Sequence, residues 1–301
     1  MVEHKQLPVH IDFRDQISRN KTKSFLLMLM LVIVILLLGY VIANVYSGVD
    51  MFSIMILAII FSVVYSVIGY YSSGRIAVAS VGAKEADRTA YRDFYRLVEG
   101  LTIASGLPMP KLYVMPSLQI NAFASGRDPQ HAIICVTEGA LAKLDKRELE
   151  GVLAHELSHV GNYDIRFMTI TAVMVGVIAI ISEIFLRSMF YRSSDSDSKG
   201  NVVFILIGVA LAILAPIVTQ LVQMAISRKR EYSADAMAVQ FTRYPNGLIG
   251  ALKKIQGDYD SGQKEQHVSK AVAPLFFASP MKKWLSTHPA IDDRIRALES
   301  M

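Results

Sequence analysis

From Phe25 to Val45 the chain carries no Asp, Glu, Lys or Arg. An uncharged apolar helix of that length reaches across the hydrocarbon core of a bilayer, which takes ~20 residues. Three further runs approach or exceed the same length, from about Met51 to Tyr71, from Phe167 to about Leu186 and from Val202 to about Ile226. The apolar fraction of 52% and the mean hydropathy of +0.37 are high for a soluble protein and agree with several spans. The first run is too long, and starts too deep in the chain, for a cleaved signal peptide. Only a few residues around Ser47-Gly48-Val49-Asp50 separate it from the second, so the two form a tight hairpin.

Basic residues set the expected orientation. Arg14, Arg19, Lys21 and Lys23 precede the first run, Arg75 and Lys84 follow the second, and Arg228, Lys229 and Arg230 follow the fourth. The first hairpin connection has no Lys or Arg, and the second, 187–200, is mixed and rich in Ser and Asp. A cytoplasmic N-terminal segment (1–24), a transmembrane hairpin (25–71), a cytoplasmic piece (75–165), a second hairpin (167–226) and a second cytoplasmic piece (227–301) follow. Glu183 interrupts the far end of the third run and marks a headgroup boundary or a pathway residue. The formal net charge of +5 is accounted for by residues flanking the spans. No stripe of basic and aromatic residues points to nucleic acid. Cys135 is the single cysteine, so no intramolecular disulfide forms, and it sits in the apolar run HAIICV as a buried strand residue.

Within the first soluble piece, Ala86 to Ser105 has helical periodicity and stops at Gly106-Leu107-Pro108. Lys111–Met115, Ile120–Ala124 and His131–Val136 read as strands, with turn chemistry at 125–129. Asp145 and Glu148 form a capping-box pattern opening a further helix, GVLAHELSHVG, with Val152, Leu153, Leu157 and Val160 to pack it. That helix ends near Gly161-Asn162, almost at the third apolar run, which places it close to the membrane surface.

His155-Glu156-Leu157-Ser158-His159 puts two imidazoles one turn apart on one helical face, where both reach a single zinc ion. Glu156 lies beside the first ligand, placed to take a proton from water. A catalytic zinc site has three protein ligands and an open position. Glu231-Tyr232-Ser233-Ala234-Asp235 offers the third in Glu231, with Asp235 one turn on to accept the free N–H of a ligating histidine. The alternative for these two acids is a solvated face paired with Arg228 or Lys229.

Four motifs in this order resemble the HtpX-type membrane metalloproteases, bacterial relatives of the CAAX prenyl proteases: Asn121-Ala122-Phe123-Ala124, the HExxH helix, Glu231 to Asp235, and Ser286-Thr287-His288-Pro289 followed by Arg294. The resemblance covers nearly the whole chain. It implies a cytoplasmic zincin-like α+β metalloprotease domain with a small β-sheet, carried on four transmembrane helices in a bacterial cytoplasmic membrane. It implies one catalytic Zn2+ held by His155, His159 and Glu231, with Glu156 deprotonating the attacking water and returning the proton to the leaving amine. The substrates it implies are damaged or misassembled membrane proteins and unfolded peptides. Four spans leave no obvious intramembrane chamber, which argues against prenyl-protein processing.

His288 is the candidate donor to the oxyanion, with Arg294 as the alternative. His288-Pro289 opens a C-terminal helix, IDDRIRALES. Residues 121–124 read as an exposed edge strand on which an extended peptide lies across the zinc, with Asn121 orienting it; an ordinary strand with a buried Phe123 fits equally. His4, His10, His131 and His267 have no motif context and read as surface or structural. The polar stretch from Gln256 to Ala273 is a long surface loop or a cover over the cleft. Two other functions compete with proteolytic quality control: a membrane scaffold whose zinc is structural, and processing of one lipidated peptide.

Overall fold

Helices α1 (Phe13–Val45) and α2 (Met51–Ser80) pack along each other. They belong to a computed structural model that describes residues 13–45, 50–171, 228–260, 275–277 and 289–301. The fourth apolar run, most of the third, Glu183, His4, His10, His267 and His288 lie outside the described residues. Asp50 opens α2 by accepting the Ser53 N–H at 3.1 Å. Among the described residues, 55–72 is the stretch long and apolar enough to cross a membrane, with a mean hydropathy of 1.9. Phe52, Leu57, Phe61 and Tyr71 stand exposed on α2, a band that is stable against lipid and costly against water.

Past Tyr71, where the sequence suggests its end, α2 continues to Ser80 and lands on the sheet. Gly74 permits the landing, because a Cβ there would sit 2.7 Å from the Ile133 side chain. The sheet has four strands in the order β1 (Lys84–Glu85), β2 (Lys111–Met115), β4 (Ala132–Thr137), β3 (Ala122–Gly126). β2 and β4 run parallel, and the other two pairs are antiparallel. Strand side chains alternate between faces. Met115, Phe123, Ile133 and Cys135 meet α2, whereas Leu112, Val114, Ala122, Ala124, Ile134 and Val136 join the core around the HExxH helix. Both faces of the sheet are covered, so β4 reads as a continuous apolar run and not as an alternating one.

α3 (Arg92–Ser105) and the short α4 (Glu138–Lys143) precede α5 (Lys146–Gly161), the HExxH helix. α5 opens with the expected capping box: Asp145 accepts the Arg147 and Glu148 N–H groups, and Glu148 accepts the Asp145 N–H. Every residue from Gly151 to Gly161 is buried. Residues 164–171 resume a helix after a turn. α6 (Arg228–Thr242), α7 (Pro245–Asp260) and α8 (Ile291–Glu299) complete the described chain; α6 and α7 pack on α5, and α8 packs on both.

Several element boundaries differ from the sequence expectation. The helix expected from Ala86 begins at Arg92, because Asp87 accepts the Thr89 and Ala90 N–H groups and the Ala86 N–H joins the sheet at Leu112. β3 lies two residues later than Ile120–Ala124. Thr137 takes both backbone groups of Asn121, while Ser125 and Gly126, expected as a turn, pair with β4. Gly126, at φ +140, has no room for a side chain, since a Cβ would meet the His131 carbonyl at 2.4 Å. The polar stretch expected as a loop from Gln256 is helical to Asp260. Asp258 explains this extension: it pairs with Lys143 and accepts the Ile120 N–H at 2.9 Å.

Candidate metal centre

One turn of α5 separates His155 from His159, and their Nε2 atoms lie 3.1 Å apart. The first turn of α6 delivers Glu231, whose Oε2 is 3.8 Å from His155 Nε2 and whose Oε1 is 3.7 Å from His159 Nε2. One ligand atom from each of the three residues falls within 4.8 Å of the others, and all three side chains are buried. The elements from either side of the second apolar pair therefore meet at one point.

The outer ring nitrogens decide what that point can hold. His155 Nδ1 is 2.9 Å from Asp235 Oδ1, and His159 Nδ1 is 3.0 Å from Asp164 Oδ2. A carboxylate at Nδ1 fixes the proton there and leaves the Nε2 lone pair facing inward. Two Nε2 atoms and a carboxylate then converge as a buried donor set for a cation, which would displace the Nε2 proton of His159 as it binds. The donor set, two imidazoles and one carboxylate, suits zinc. Burial holds His155 down to about 4. Burial also presses on His159, but Asp164 and Glu231 outweigh it and hold that imidazole up at about 9.

Glu156 is 1% exposed. Burial, with Glu231 adding, pushes its carboxyl up to about 7, although His159 and the Ala124 N–H act against the rise. A carboxyl titrating there is matched to moving protons near neutral pH.

Asp235 lies behind His155. Arg294, offered as the alternative oxyanion donor, turns its guanidinium toward Asp235. It is 2% exposed, and its Nε and Nη2 meet the two Asp235 oxygens at 2.9 and 2.6 Å. Its Nη1 is 3.7 Å from Glu231 Oε2. The guanidinium is thus committed to Asp235 and to the candidate ligand Glu231.

β3 is an edge strand, but its edge is not exposed. Ala122, Phe123 and Ala124 are 1%, 0% and 2% exposed, because Leu275–Phe277 lies along them. The Phe277 N–H donates to the Ala122 carbonyl at 2.7 Å, and the Phe276 ring lies 5.1 Å from that of Phe123. Phe277 also stands edge-on to the His155 ring at 4.8 Å, with the Arg294 guanidinium 4.7 Å from the centre of the Phe277 ring. Asn121 is 5% exposed, and its Oδ1 accepts the Ala122 N–H at 3.0 Å, so this carboxamide oxygen serves the strand's own backbone.

Sequence reading missed Asp164, Phe277 and Asn20, whose amide reaches Asp164 at 2.7 Å. Asp164 had a weak signal, an acid one turn past His159, but it follows a Gly-Asn helix stop that reads as a boundary. Asn20 and Phe277 are far away in sequence and had none.

An HExxH helix beneath a small mixed sheet, with a glutamate brought to it by a second helix, defines a metallopeptidase, and its metal is zinc. Residues 90–301 match the description of peptidase family M48, and the chain belongs to that family. It is 39% identical over 293 residues to "Protease HtpX homolog" of Dictyoglomus thermophilum, covering 96% of this chain and 95% of that one. The same description is carried by relatives from Caldanaerobacter subterraneus subsp. tengcongensis, 40% identical over 292 residues (94% and 96% covered), and Streptococcus thermophilus, 37% identical over 300 (95% and 99%). Among solved structures, S. mikatae Ste24p shares the fold, with a TM-score of 0.51 and 20% identity over 95% of this chain and 67% of that one. The chain is a membrane-bound metalloendopeptidase.

Proposed function

We propose that the protein hydrolyses peptide bonds in misfolded or damaged membrane proteins, with its site at the cytoplasmic surface of a bacterial inner membrane. The carrying observation is the position of Glu156, which is buried beside the His155, His159 and Glu231 cluster and bonded to the backbone of β3. That position supports a base acting beside a metal site and a strand edge.

When bound by His155, His159 and Glu231, zinc supplies Lewis acidity toward a carbonyl oxygen and a water molecule. Glu156 takes the proton of the attacking water and returns it to the leaving amine. Asp235 and Asp164 keep the two imidazoles in the tautomer that turns Nε2 inward. With Arg294 committed to Asp235, His288 is the donor to the oxyanion.

An extended substrate segment adds to the edge of β3 at Ala122 and Ala124, displacing Leu275–Phe277. Recognition through backbone groups tolerates many sequences and demands an unfolded strand. Both properties suit a quality-control enzyme.

Four spans in two hairpins, 25–71 and 167–226, with 1–24, 75–165 and 227–301 on the cytoplasmic side, account for the basic residues at each boundary. Single cysteines labelled from either side of sealed vesicles test this topology; labels at 84 and 243 on opposite faces refute it.

The enzymatic reading is tested with Glu156→Gln in the full chain reconstituted in lipid, assayed on an unfolded membrane protein. Turnover should fall by about 10²–10⁴-fold, the usual contribution of a general base, while zinc content stays at one per chain. Undiminished turnover refutes Glu156 as the base.

A further inference from the structure

The side chain of Asn20 leaves α1 just before the first apolar run and enters the back of the metal site. Its Nδ2 donates to the Asn162 carbonyl at 3.0 Å and to Asp164 Oδ1 at 2.7 Å. Both partners are acceptors, so the amide is oriented with its NH2 toward them. The other Asp164 oxygen lies 3.0 Å from His159 Nδ1. Asn20, Asn162 and Asp164 are 3%, 0% and 0% exposed, so water does not replace these bonds.

Local backbone geometry explains why an outside support is needed. α5 ends at Gly161, and the chain turns through Tyr163 at φ +58 before Asp164 starts the next helical segment. That region is unfavourable for a tyrosine, and a strained residue persists only where its surroundings hold it. α1 supplies much of the hold. Asn20 binds the residues on both sides of Tyr163, and the Lys21 ammonium lies 4.5 Å from the centre of its ring. Ser24, one turn on, donates to the Asn20 carbonyl at 2.8 Å. Arg230 Nη1, 3.7 Å from Asp164 Oδ1, adds charge from α6.

We propose that Asn20 is a positioning residue of the metal centre: acting through Asp164, it fixes the imidazole of His159, so that the first apolar helix is part of the zinc site as well as its anchor. This rests on the reading of His155, His159 and Glu231 as zinc ligands. Carboxylates behind ligating histidines govern metal affinity, and a donor that fixes such a carboxylate acts on the same quantity.

The experiment is a double-mutant cycle on zinc affinity, read by chelator competition with the full chain in lipid nanodiscs. Asn20→Leu keeps the volume and removes the donor; Asp164→Asn removes the charge. Each single variant should bind zinc about 10–100-fold more weakly than wild type, and the double variant no more weakly than the worse single. Apoprotein circular dichroism establishes folding. If Asn20→Leu does not fold, Asn20→Ser, too short to reach both acceptors, is held to the same expectation. Unchanged affinity in a folded Asn20 variant overturns the proposal, as do losses that multiply in the double variant. A wild-type chain that binds no zinc overturns the metal reading instead, so the two failures are distinguishable.

Discussion

Arg294 and Asp235 meet in a two-point contact, Nε to Oδ2 at 2.9 Å and Nη2 to Oδ1 at 2.6 Å. The same Oδ1 lies 2.9 Å from His155 Nδ1. α8 therefore reaches the metal site both through Asp235 on α6 and directly, with Arg294 Nη2 3.3 Å from His155 Nδ1. Burial would raise the Asp235 carboxyl, but Arg294 and His155 outweigh it and hold it below its ordinary range.

Breaking this pair from one side leaves a buried charge uncompensated. Arg294→Met should destabilise the apoprotein by about 3–5 kcal/mol, and adding Asp235→Asn should recover part of that loss. Denaturant unfolding measures both. An Arg294→Met midpoint equal to wild type would mean that Asp235 finds another partner.

Metal loading should be proton-linked. His159 is held up at about 9 in the metal-free site, and its Nε2 must be unprotonated to donate to zinc. Below that pH the proton competes with the metal, so apparent zinc affinity should rise roughly tenfold per pH unit from pH ~7 to pH ~9 and then level off. Chelator competition across a pH series measures the slope. A flat profile means that no proton leaves.

At Gly151 the HExxH helix packs tightly against α7. A Cβ there would stand 2.6 Å from Leu248 N and 2.9 Å from Leu248 Cα, both backbone atoms that cannot turn aside. Gly151→Ala should cost about 1–3 kcal/mol by forcing the helices apart. Zinc content and thermal unfolding together show whether the displacement reaches His155, one turn further on.

The Leu275–Phe277 segment occupies the edge of β3 on which the proposed substrate path runs. Phe276→Leu trims its contact with Phe123 while keeping an apolar side chain. KM for an unfolded substrate should fall several-fold with kcat unchanged, because removing a competitor changes binding and not chemistry. A raised KM would make the segment a platform for substrate.

Much of this site was legible because its chemistry is local. His155, Glu156 and His159 share one helix, Glu231 and Asp235 share another, and helical spacing fixes which way each points. The capping box at Asp145 was readable for the same reason. The supports were not, because each joins elements distant in the chain: Asn20 to Asp164 across 144 positions, Arg294 to Asp235 across 59. β3 was displaced by two residues because Thr137, on another strand, claims the backbone of Asn121. Periodicity carries no information about such partners.

The groups of this centre emerge from the ribosome in a fixed order, and the guanidinium behind Asp235 comes last. A nascent chain already displays the HExxH helix while Asp235 has no cation to lean on. Docking of α8 supplies that cation, so the buried Asp235 carboxylate is compensated only after this last helix has reached α6.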